Sequence, residues 1–504
     1  MKQPIMKETH KKSKFDRLLE ILPGLFAWGV IIAPAVGGLF IPEVIAYGIM
    51  LFIIYWFLKS FKSAFFSMLG YLMVREWEKI DWHDKWKKDD TPGKYSWDNL
   101  RHVIIVPNYN ETEEKLSKSL DAFSAQKQIN KKNLYVFLAM EERAEGSVER
   151  AKNLVARYKN KFGLLMATFH PKDIPGEIKG KASNEAYAAK VARKVLSDMH
   201  VPIEFVTVTS CDADARFHPL YFSALTYHFA INPQRFLRFW QSPILWYNNL
   251  HRVPFPIKML GVIGHAIHLS DLQEPSRLIF NYSCYSLSFK LLESVGYWHT
   301  DIIPEDWHLF LQTFFTHSGK VEVESLYLPT HIDAPEAKTW LGSLKNRYEQ
   351  CKRHAWGATD IPYAIKESIA HKEIPIFARI MRILKMFETH LVWSTNWFIL
   401  TLGATVPLIV NPAFSRTSLG YNLPKMAETV LTICLLALFV MIIVDLLLRP
   451  KEAKPATFFS AIKEIVQWVT LPIVSLPLSV LPGLHAQTML MAGKRMEYKV
   501  TEKV

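Results

Sequence analysis

Apolar residues are concentrated near both ends of this chain of 504 residues, and the middle is polar. Residues 22–40 and 44–61 each approach the roughly 20 apolar residues that a membrane-spanning helix needs, and a Pro-Glu turn separates them. Two further apolar segments, 391–410 and 430–448, follow the polar middle. The sequence therefore predicts two helical hairpins in a membrane, with a globular domain between them.

Basic residues flank both predicted hairpins. They are Lys2, Lys7, Lys11, Lys12, Lys14 and Arg17 before the first, Lys59 and Lys62 after it, and Arg449, Lys451, Lys454 and Lys463 after the second. Because Lys and Arg stay on the cytosolic side of membrane proteins, these flanks are expected in the cytosol. A cleaved signal peptide is the alternative, since Ala33-Pro34-Ala35 follows an apolar run. The second apolar segment argues against cleavage.

The apolar stretch 464–491 is the hardest to place. It is too short for two spans of about 20 residues each, yet the tail after it is basic, and one crossing would leave that charge outside. Pro472, Pro477 and Pro482 favour a broken, re-entrant or interfacial helix. We therefore expect four full crossings, a cytosolic tail, and an amphipathic helix at 373–390 on the cytosolic membrane face.

Charge and cysteine content exclude several other classes of protein. The net charge of +13 is accounted for by basic residues beside anionic lipid, and no basic-aromatic pattern indicates nucleic acid. The four cysteines are far apart and show no C-x-x-C spacing. Neither a disulfide framework nor a structural zinc site is expected.

The polar middle alternates between strand and helix patterns. Apolar runs at 102–107 and 134–138 are each followed by a helical pattern, at 111–126 and up to Tyr158. Such alternation predicts a largely parallel sheet, whose ligands lie beyond the carboxyl ends of its strands.

A third strand pattern, from Val206, ends in Asp212-Ala213-Asp214. Alternate side chains of extended chain point the same way, so the two carboxylates can converge on one hard cation such as Mg²⁺. A solvated turn is the alternative, because D-x-D triplets occur by chance in many loops.

A basic glycine-containing loop precedes this strand. Lys179 and Lys181 flank Gly180, which permits close backbone approach, and Asn184 is expected to open a helix over 185–196. These residues suit a phosphate. An ordinary basic loop with an Asn cap is the alternative.

Together these motifs resemble those of the family 2 glycosyltransferases, membrane-integral enzymes of the cellulose synthase and hyaluronan synthase type included, over roughly residues 101–360. The family's Pro-x-Tyr-Asn-Glu turn after the first strand is matched by Pro107, Tyr109 and Glu111. Its Lys-x-x-x-Asn element is matched by Lys181 and Asn184 with one residue fewer between them, and its D-x-D is the triplet above.

The acid that follows the family's second strand is usually Asp, whereas Glu141-Glu142 stands here. Residues 239–243 resemble its Gln-x-Pro strand, and 281–284 resemble its acceptor-side segment. The pair Glu305-Asp306 resembles the signature whose Asp is the catalytic base. A surface pair or a helix start after Pro304 is the alternative.

The membrane synthases carry Gln-x-x-Arg-Trp. Here Gln350 and Arg353 match, His354 stands where Trp is expected, and Trp356 follows. The tail 497–503 resembles the family's gating loop, with Tyr498 in place of Phe.

The resemblance implies sugar transfer, with inversion, from a nucleotide diphosphate sugar, UDP being the expected nucleotide. It implies Asp306 and Glu305 as catalytic residues, and Asp212 and Asp214 as ligands of Mg²⁺ or Mn²⁺. The implied nucleotide-sugar-binding residues are Pro107, Tyr109, Glu111, Glu142, Lys181, Asn184, Asp212, Gln350, Arg353 and Trp356. The acceptor is a saccharide, as in polysaccharide synthesis at the cell envelope, or alternatively a lipid or polyprenyl phosphate. A non-catalytic protein that binds nucleotide sugar is a third alternative.

The expected architecture is an α/β nucleotide-sugar-binding domain of the GT-A type, cytosolic, inserted between α-helical transmembrane segments of a multi-pass membrane protein. The predicted parts are a basic segment with a transmembrane hairpin at 1–62, an interfacial linker at 63–100, the glycosyltransferase domain at 101–372, an interfacial amphipathic helix at 373–390, two transmembrane helices at 391–448, and an interfacial or re-entrant helix with a gating-like tail at 449–504.

Overall fold

The computed structural model describes residues 13–276, 278–455 and 457–497. The first four basic residues expected before the first hairpin, and all but the first residue of the gating-like tail, lie outside this part of the chain.

A mixed sheet of seven strands forms the centre of the globular domain, and a three-stranded sheet lies beside it. The strands are β1 Arg101–Pro107, β2 Leu134–Glu141, β3 Leu164–His170, β4 Val206–Ser210, β5 Arg216–Phe217, β6 Arg238–Gln241, β7 Ile244–Leu245, β8 Tyr285–Ser288, β9 Glu322–Ser325 and β10 Thr330–His331. The large sheet has the order β3-β2-β1-β4-β8-β6-β9, and the small one β5-β10-β7. The large sheet is mainly parallel, as expected, but β8 runs antiparallel to both of its neighbours.

Helices pack on both faces of this sheet. Further helices precede and follow the globular domain along the chain. Before and within the globular domain they are α1 Lys14–Phe40, α2 Pro42–Trp77, α3 Trp82–Lys88, α4 Glu113–Ser124, α5 Ser147–Tyr158, α6 Lys181–Asp198, α7 Tyr221–Ile231, α8 Phe255–Leu272, α9 Phe289–Ser294, α10 Glu305–Thr316, α11 Trp340–Ala355 and α12 Asp360–Ala370. After it they are α13 Ile376–Phe398, α14 Val406–Val410, α15 Pro412–Ser415, α16 Ser418–Leu448, α17 Phe458–Gln467, α18 Leu471–Ser475 and α19 Leu481–Met491.

Strand β1 shows why the sheet is buried on both faces. Successive side chains of a strand point to opposite faces. Ile104 and Val106 accordingly join the apolar cluster that contains α4 and α7. Val103 and Ile105 join the cluster that contains α6 and α10. A continuous apolar run is the pattern such a strand requires.

Four helices are long and apolar enough to cross a membrane: Lys14–Phe40, Pro42–Trp77, Ser418–Leu448 and Phe458–Met491. The first three coincide with predicted spans. The predicted span at 391–410 differs, because α13 runs through residue 390, continues as a π-helical segment at Ile399–Gly403, and breaks before α14. The fourth candidate, Phe458–Met491, contains the prolines that favoured a broken, re-entrant or interfacial helix in the sequence analysis.

The stretch Phe458–Met491 runs antiparallel along α13. Trp397 Nε1 donates to the carbonyl of Pro472 at 2.7 Å, and Gln487 Nε2 donates to the carbonyl of His390 at 2.8 Å. Near its start, Glu464 pairs with Arg449 at 2.7 Å.

Both ends of this stretch lie beside the globular domain. Arg449 also binds Asp445, which accepts from the hydroxyl of Tyr247 in the globular domain. At the other end Leu490 packs with Ile303 and Trp356. The stretch Phe458–Met491 thus begins and ends beside the globular domain.

Candidate active site

The reversed strand β8 brings two distant segments to one edge of the sheet. Ser210, the last residue of β4, is in register with Tyr285, the first residue of β8. The chain leaving β4 therefore meets the chain entering β8. The hydroxyl of Ser283 donates to Asp212 Oδ2 at 2.8 Å, and the backbone N–H of Asp212 donates to Cys284 Sγ at 3.3 Å.

Ser283 also holds the acidic pair at the start of α10. Its backbone N–H donates to Asp306 Oδ2 at 3.0 Å, and Asn281 Nδ2 donates to the Asp306 carbonyl at 3.0 Å. The N–H of Trp307 donates to Oδ1 of the same carboxylate at 2.8 Å. A carboxylate is favoured at a helix N-terminus, where backbone N–H groups are unpaired. Asp212 and Asp306, which the sequence predicts at one site, are thus joined through one residue.

Lys181, the first residue of α6, lies among the same groups. Its Nζ is 2.9 Å from Glu305 Oε1 and 3.2 Å from Asp212 Oδ1, and it donates to the Ser283 carbonyl at 2.8 Å. Its side chain is 11% exposed. The expected phosphate-binding lysine therefore neutralises carboxylates of the acidic cluster.

One helical turn beyond Lys181, a further carboxyl group is fully buried behind the site. Glu185 is 0% exposed, and its Oε1 accepts from the hydroxyl of Ser210 at 2.6 Å. Its Oε2 has no hydrogen-bond partner among the described residues. Sequence reasoning missed this residue, although the spacing of four from Lys181 places both on one helix face.

Burial shifts the protonation of this cluster. It raises the pKa of Asp306 to about 7, with the Glu305 carboxylate adding to the effect. It also raises the pKa of Glu185 to about 8. Burial alone would lower the pKa of Lys181, but Glu305 and Asp212 hold it well above its usual value. At neutral pH the site thus combines a charged lysine with a carboxyl group that titrates near 7.

Asp214 is held by different partners. The N–H of Asp333 donates to its Oδ2 at 2.9 Å, and Asn248 Nδ2 donates to its carbonyl at 2.8 Å. Asp333 in turn pairs with Lys115 at 3.0 Å. Asp214 is 4% exposed, so its position is set by the small sheet that carries these segments.

The carboxylates predicted to bind a metal, Asp212 and Asp214, have the donor atoms that a hard divalent ion prefers. Such an ion would complete its coordination with phosphate oxygens. Among the residues that the structure describes, no group of three or more His, Cys, Asp or Glu side chains is placed to hold a metal. Mg²⁺ commonly binds through one or two carboxylates plus substrate phosphate and water. Asp212 and Asp214 supply carboxylate oxygens of the kind that such an ion binds, so the pair fits a hard divalent ion by the chemistry of its donor atoms.

The predicted nucleotide-binding residues near β1 and β2 lie at the strand ends. Pro107 ends β1, and the N–H of Tyr109 donates to Glu111 Oε2 at 2.6 Å. Arg143 stacks on the Tyr109 ring at 4.5 Å. Glu142 is exposed just after β2. These residues thus lie together at the carboxyl ends of the parallel strands β1 and β2.

Asn184 does not cap a helix as expected. Helix α6 begins at Lys181, so Asn184 lies inside it. Its Nδ2 donates to the carbonyl of Ala139 at 2.7 Å, and the residue is 2% exposed. The side chain fastens α6 to the end of β2, and this contact explains why an asparagine stands in an alanine-rich helix.

The residues predicted on helix α11 and directly after it lie in different surroundings. Gln350 is buried and accepts from Arg347 Nη1 at 3.1 Å. Arg353 lines a cleft against the segment that follows α19. Trp356 packs into an apolar cluster with Ile303 and Leu490 and is 8% exposed. The structure thus does not bring these three residues to a single surface.

A buried pair behind the acidic signature was also missed. His308 Nδ1 lies 2.7 Å from Asp360 Oδ1, and His308 Nε2 lies 2.9 Å from His299 Nδ1. The pair ties α10 to the start of α12. No spacing in the sequence connects these residues, because they are far apart along the chain.

No family model and no curated protein matches the chain. Solved structures are similar to it at low sequence identity. One is a mannosyltransferase, PcManGT from Pyrobaculum calidifontis, in complex with GDP-Man and Mn²⁺, with 16% identity, a TM-score of 0.45, and coverage of 80% of this chain and 98% of that one. Another is residues 1–349 of S. aureus TarS in complex with UDP, with 11% identity, a TM-score of 0.36, and coverage of 80% and 94%. At these values neither similarity carries an argument about this chain's activity, donor or metal.

Proposed function

We propose that the chain is a membrane-bound glycosyltransferase of the family 2 type, which transfers a sugar with inversion from a nucleotide diphosphate sugar, UDP-linked, to a saccharide acceptor. The observation that carries the proposal is the joining of Asp212 and Asp306 through Ser283, with Lys181 between Asp212 and Glu305. A predicted metal-site carboxylate and a predicted base thereby share one edge of the sheet.

In this proposal Asp306 is the general base. Its carboxylate takes the proton of the acceptor hydroxyl while that oxygen attacks the anomeric carbon. The bond from the anomeric carbon to the phosphate oxygen breaks, and the nucleotide diphosphate leaves with the electron pair. A pKa of about 7 suits a base that works near neutral pH, and such a step contributes ~10²–10⁴-fold.

Asp212 and Asp214 would hold Mg²⁺ or Mn²⁺ through their carboxylate oxygens. The ion would supply positive charge that stabilises the leaving diphosphate. Lys181 adds a fixed positive charge beside Asp212, and the buried carboxyl groups around it keep that lysine protonated. Glu305 orients Lys181 through their ion pair.

A lipid or polyprenyl phosphate acceptor is the second candidate. It is favoured by the position of Ile303, which precedes the acidic pair by two residues and packs with Leu490 of α19. Because α19 belongs to one of the long apolar helices, an acceptor carried by a lipid beside that helix would lie close to Asp306. The two candidates differ in product, not in the proposed chemistry.

The test uses the full chain purified in detergent with a panel of UDP-sugars and GDP-sugars, with Mn²⁺, with Mg²⁺ and with EDTA. Release of nucleotide diphosphate is measured together with product mass, for saccharide and for polyprenyl phosphate acceptors. Metal-dependent release with a new glycoside supports the proposal. Donor binding without release or transfer under every condition would instead support a non-catalytic nucleotide-sugar-binding protein.

A further inference from the structure

Arg347, on α11, is a buried cation with few partners. It is 8% exposed, its Nη1 donates to Gln350 Oε1, and its guanidinium lies over the Trp246 ring at 5.0 Å. Its Nε is buried without a hydrogen-bond acceptor, and no carboxylate among the described residues forms an ion pair with it. Its charge is therefore compensated by one amide oxygen and one aromatic face.

Three other buried arginines have more partners, whereas Arg379, which is also 8% exposed, has a buried Nε without an acceptor and donates from Nη1 to the Ser368 carbonyl. Arg238 pairs with Glu322 and Glu324, and Arg449 with Asp445 and Glu464. Arg235, which has no carboxylate partner in the described residues, donates to two backbone carbonyls in its own neighbourhood. Burying a charge without such compensation is costly, and burial indeed lowers the pKa of Arg347. A bound anion would remove that cost.

The aromatic ring beneath Arg347 belongs to the support of the D-x-D loop. Trp246 directly follows β7, and two residues later Asn248 donates to the carbonyl of Asp214 at 2.8 Å. Strand β10 pairs with β7, and the chain leaving β10 supplies the N–H of Asp333 to the Asp214 carboxylate. An anion on Arg347 would therefore lie near the proposed metal site.

We infer that Arg347 is a substrate-binding residue that takes a phosphate group, a role that nothing in the sequence motifs assigns to it. The inference rests on the proposed function. A guanidinium presents a planar fork of N–H donors that matches a phosphate, and its buried Nε is such a donor. The phosphate has two possible sources, the diphosphate of the donor and the headgroup of a polyprenyl phosphate acceptor.

The experiment compares Arg347→Met and Arg347→Lys with Lys345→Met, which removes an exposed positive charge from the same helix. Binding to the full chain in detergent is measured by calorimetry with Mn²⁺ present. The probes are UDP and GDP, uridine and guanosine, which lack phosphate, and a short polyprenyl phosphate. Loss of a charge-assisted contact is expected to weaken binding of the phosphate-bearing probe about 10- to 100-fold in Arg347→Met.

A lesser loss is expected in Arg347→Lys, which keeps the charge but not the fork, and none in Lys345→Met. Binding of the nucleosides should not change. The melting temperature of ligand-free Arg347→Met should stay the same or rise, because an uncompensated buried charge has been removed. A structural arginine would instead give a lower melting temperature with unchanged affinities, and that result would overturn the inference.

The two probe classes separate the sources of the phosphate. Weaker binding of UDP or GDP identifies the donor, and weaker binding of the polyprenyl phosphate identifies the acceptor. If the unaltered protein binds a probe and Arg347→Met binds it equally well, the inference fails and the proposed function stands. If the unaltered protein binds neither class, the proposed function fails and the inference fails with it.

Discussion

The backbone N–H of Ser283 donates to Oδ2 of Asp306 at 3.0 Å, and Ser283 does so from a left-handed conformation with φ of 54°. Left-handed conformations cost a residue other than glycine about 1–3 kcal/mol and persist where the surroundings fix them. The same residue donates its hydroxyl to Asp212. One strained residue therefore sets the relative position of the proposed base and a proposed metal ligand.

Replacing Ser283 by alanine separates these two contacts. Ser283→Ala keeps the backbone donor to Asp306 and removes the hydroxyl donor to Asp212. A hydrogen bond to a charged group contributes about 1.5–3 kcal/mol, so kcat/KM should fall about 10- to 100-fold. Steady-state kinetics at saturating metal measure this. Ser318→Ala is the control, because Ser318 is exposed and has φ of 52°. Equal loss in both variants would contradict a role for the hydroxyl.

The proposed base should govern how the rate depends on pH. Since the pKa of Asp306 is about 7 and a base must be ionised, the rate should rise as pH increases through about 7 and level off above it. Asp306→Asn should abolish turnover while donor binding persists. Initial rates from pH 5.5 to 8.5 and donor calorimetry measure both effects. A flat profile, or an active asparagine variant, would remove Asp306 from this role.

Lys181 should shift the pH dependence of the rate to lower pH. Its positive charge lowers the pKa of Asp306, opposing the effect of burial. Lys181→Met should therefore move the rising limb of the rate profile to higher pH, in addition to lowering the maximal rate. The control is Lys190→Met, because Lys190 is an exposed lysine farther along the same helix α6. A limb that stays in place in Lys181→Met would show that the lysine does not act on the base.

Glu185 should make stability fall as pH rises. Its folded-state pKa of about 8 is above the usual value of 4.5, so between these values the folded chain binds more protons than the unfolded chain. Unfolding free energy then decreases with pH across that window. Glu185→Gln lacks this titration. The difference between its melting temperature and that of the unaltered protein should therefore shift in favour of the variant as pH rises from 5 to 8.5. Glu149→Gln, at an exposed site, should show no such trend. Thermal unfolding in detergent at several pH values is the measurement, and parallel curves would contradict the burial argument.

The path of Phe458–Met491 predicts that both of its ends are on the same side of the membrane. Reporters placed after residue 455 and after residue 497 should both indicate the cytosol, since both ends of this stretch lie beside the globular domain. A reporter within the α14–α15 turn, near residue 412, is a control for the opposite side. Opposite sides for the first two reporters would make this stretch a full crossing.

Local patterns were sufficient for much of the fold. Strands β1 and β2 are largely continuous apolar runs, and their burial on both faces follows from that pattern, whereas β4 is a run of β-branched Val and Thr residues that is also fully buried. Strand β3 was not predicted, because its sequence contains Thr168 and His170 and is only partly buried. The predicted cap at Asn184 was wrong because α6 starts four residues earlier than predicted, at Lys181, directly after Gly180.

The contacts of the site were less predictable than its residues. Asp212, Lys181, Glu305 and Asp306 were identified from motifs, but the bridge through Ser283 depends on the direction of β8. Strand direction is a property of long-range pairing, and no local period encodes it. Glu185 and Arg347 were missed for a related reason. A charged residue on a helix is usually exposed to solvent. Only the tertiary packing of this chain buries Glu185 and Arg347.

The reversal of β8 also determines when the site can assemble during synthesis of the chain. A nascent chain that has reached only the D-x-D triplet carries β1, β2, β3 and β4 but lacks the segment that pairs with β4 and supplies Ser283. Pairings between distant segments form slowly, because a long loop must close first. Until β8 has emerged and docked, Asp212 lacks its contact with Ser283, so the arrangement that joins it to Asp306 forms only after the second half of the domain has been synthesised.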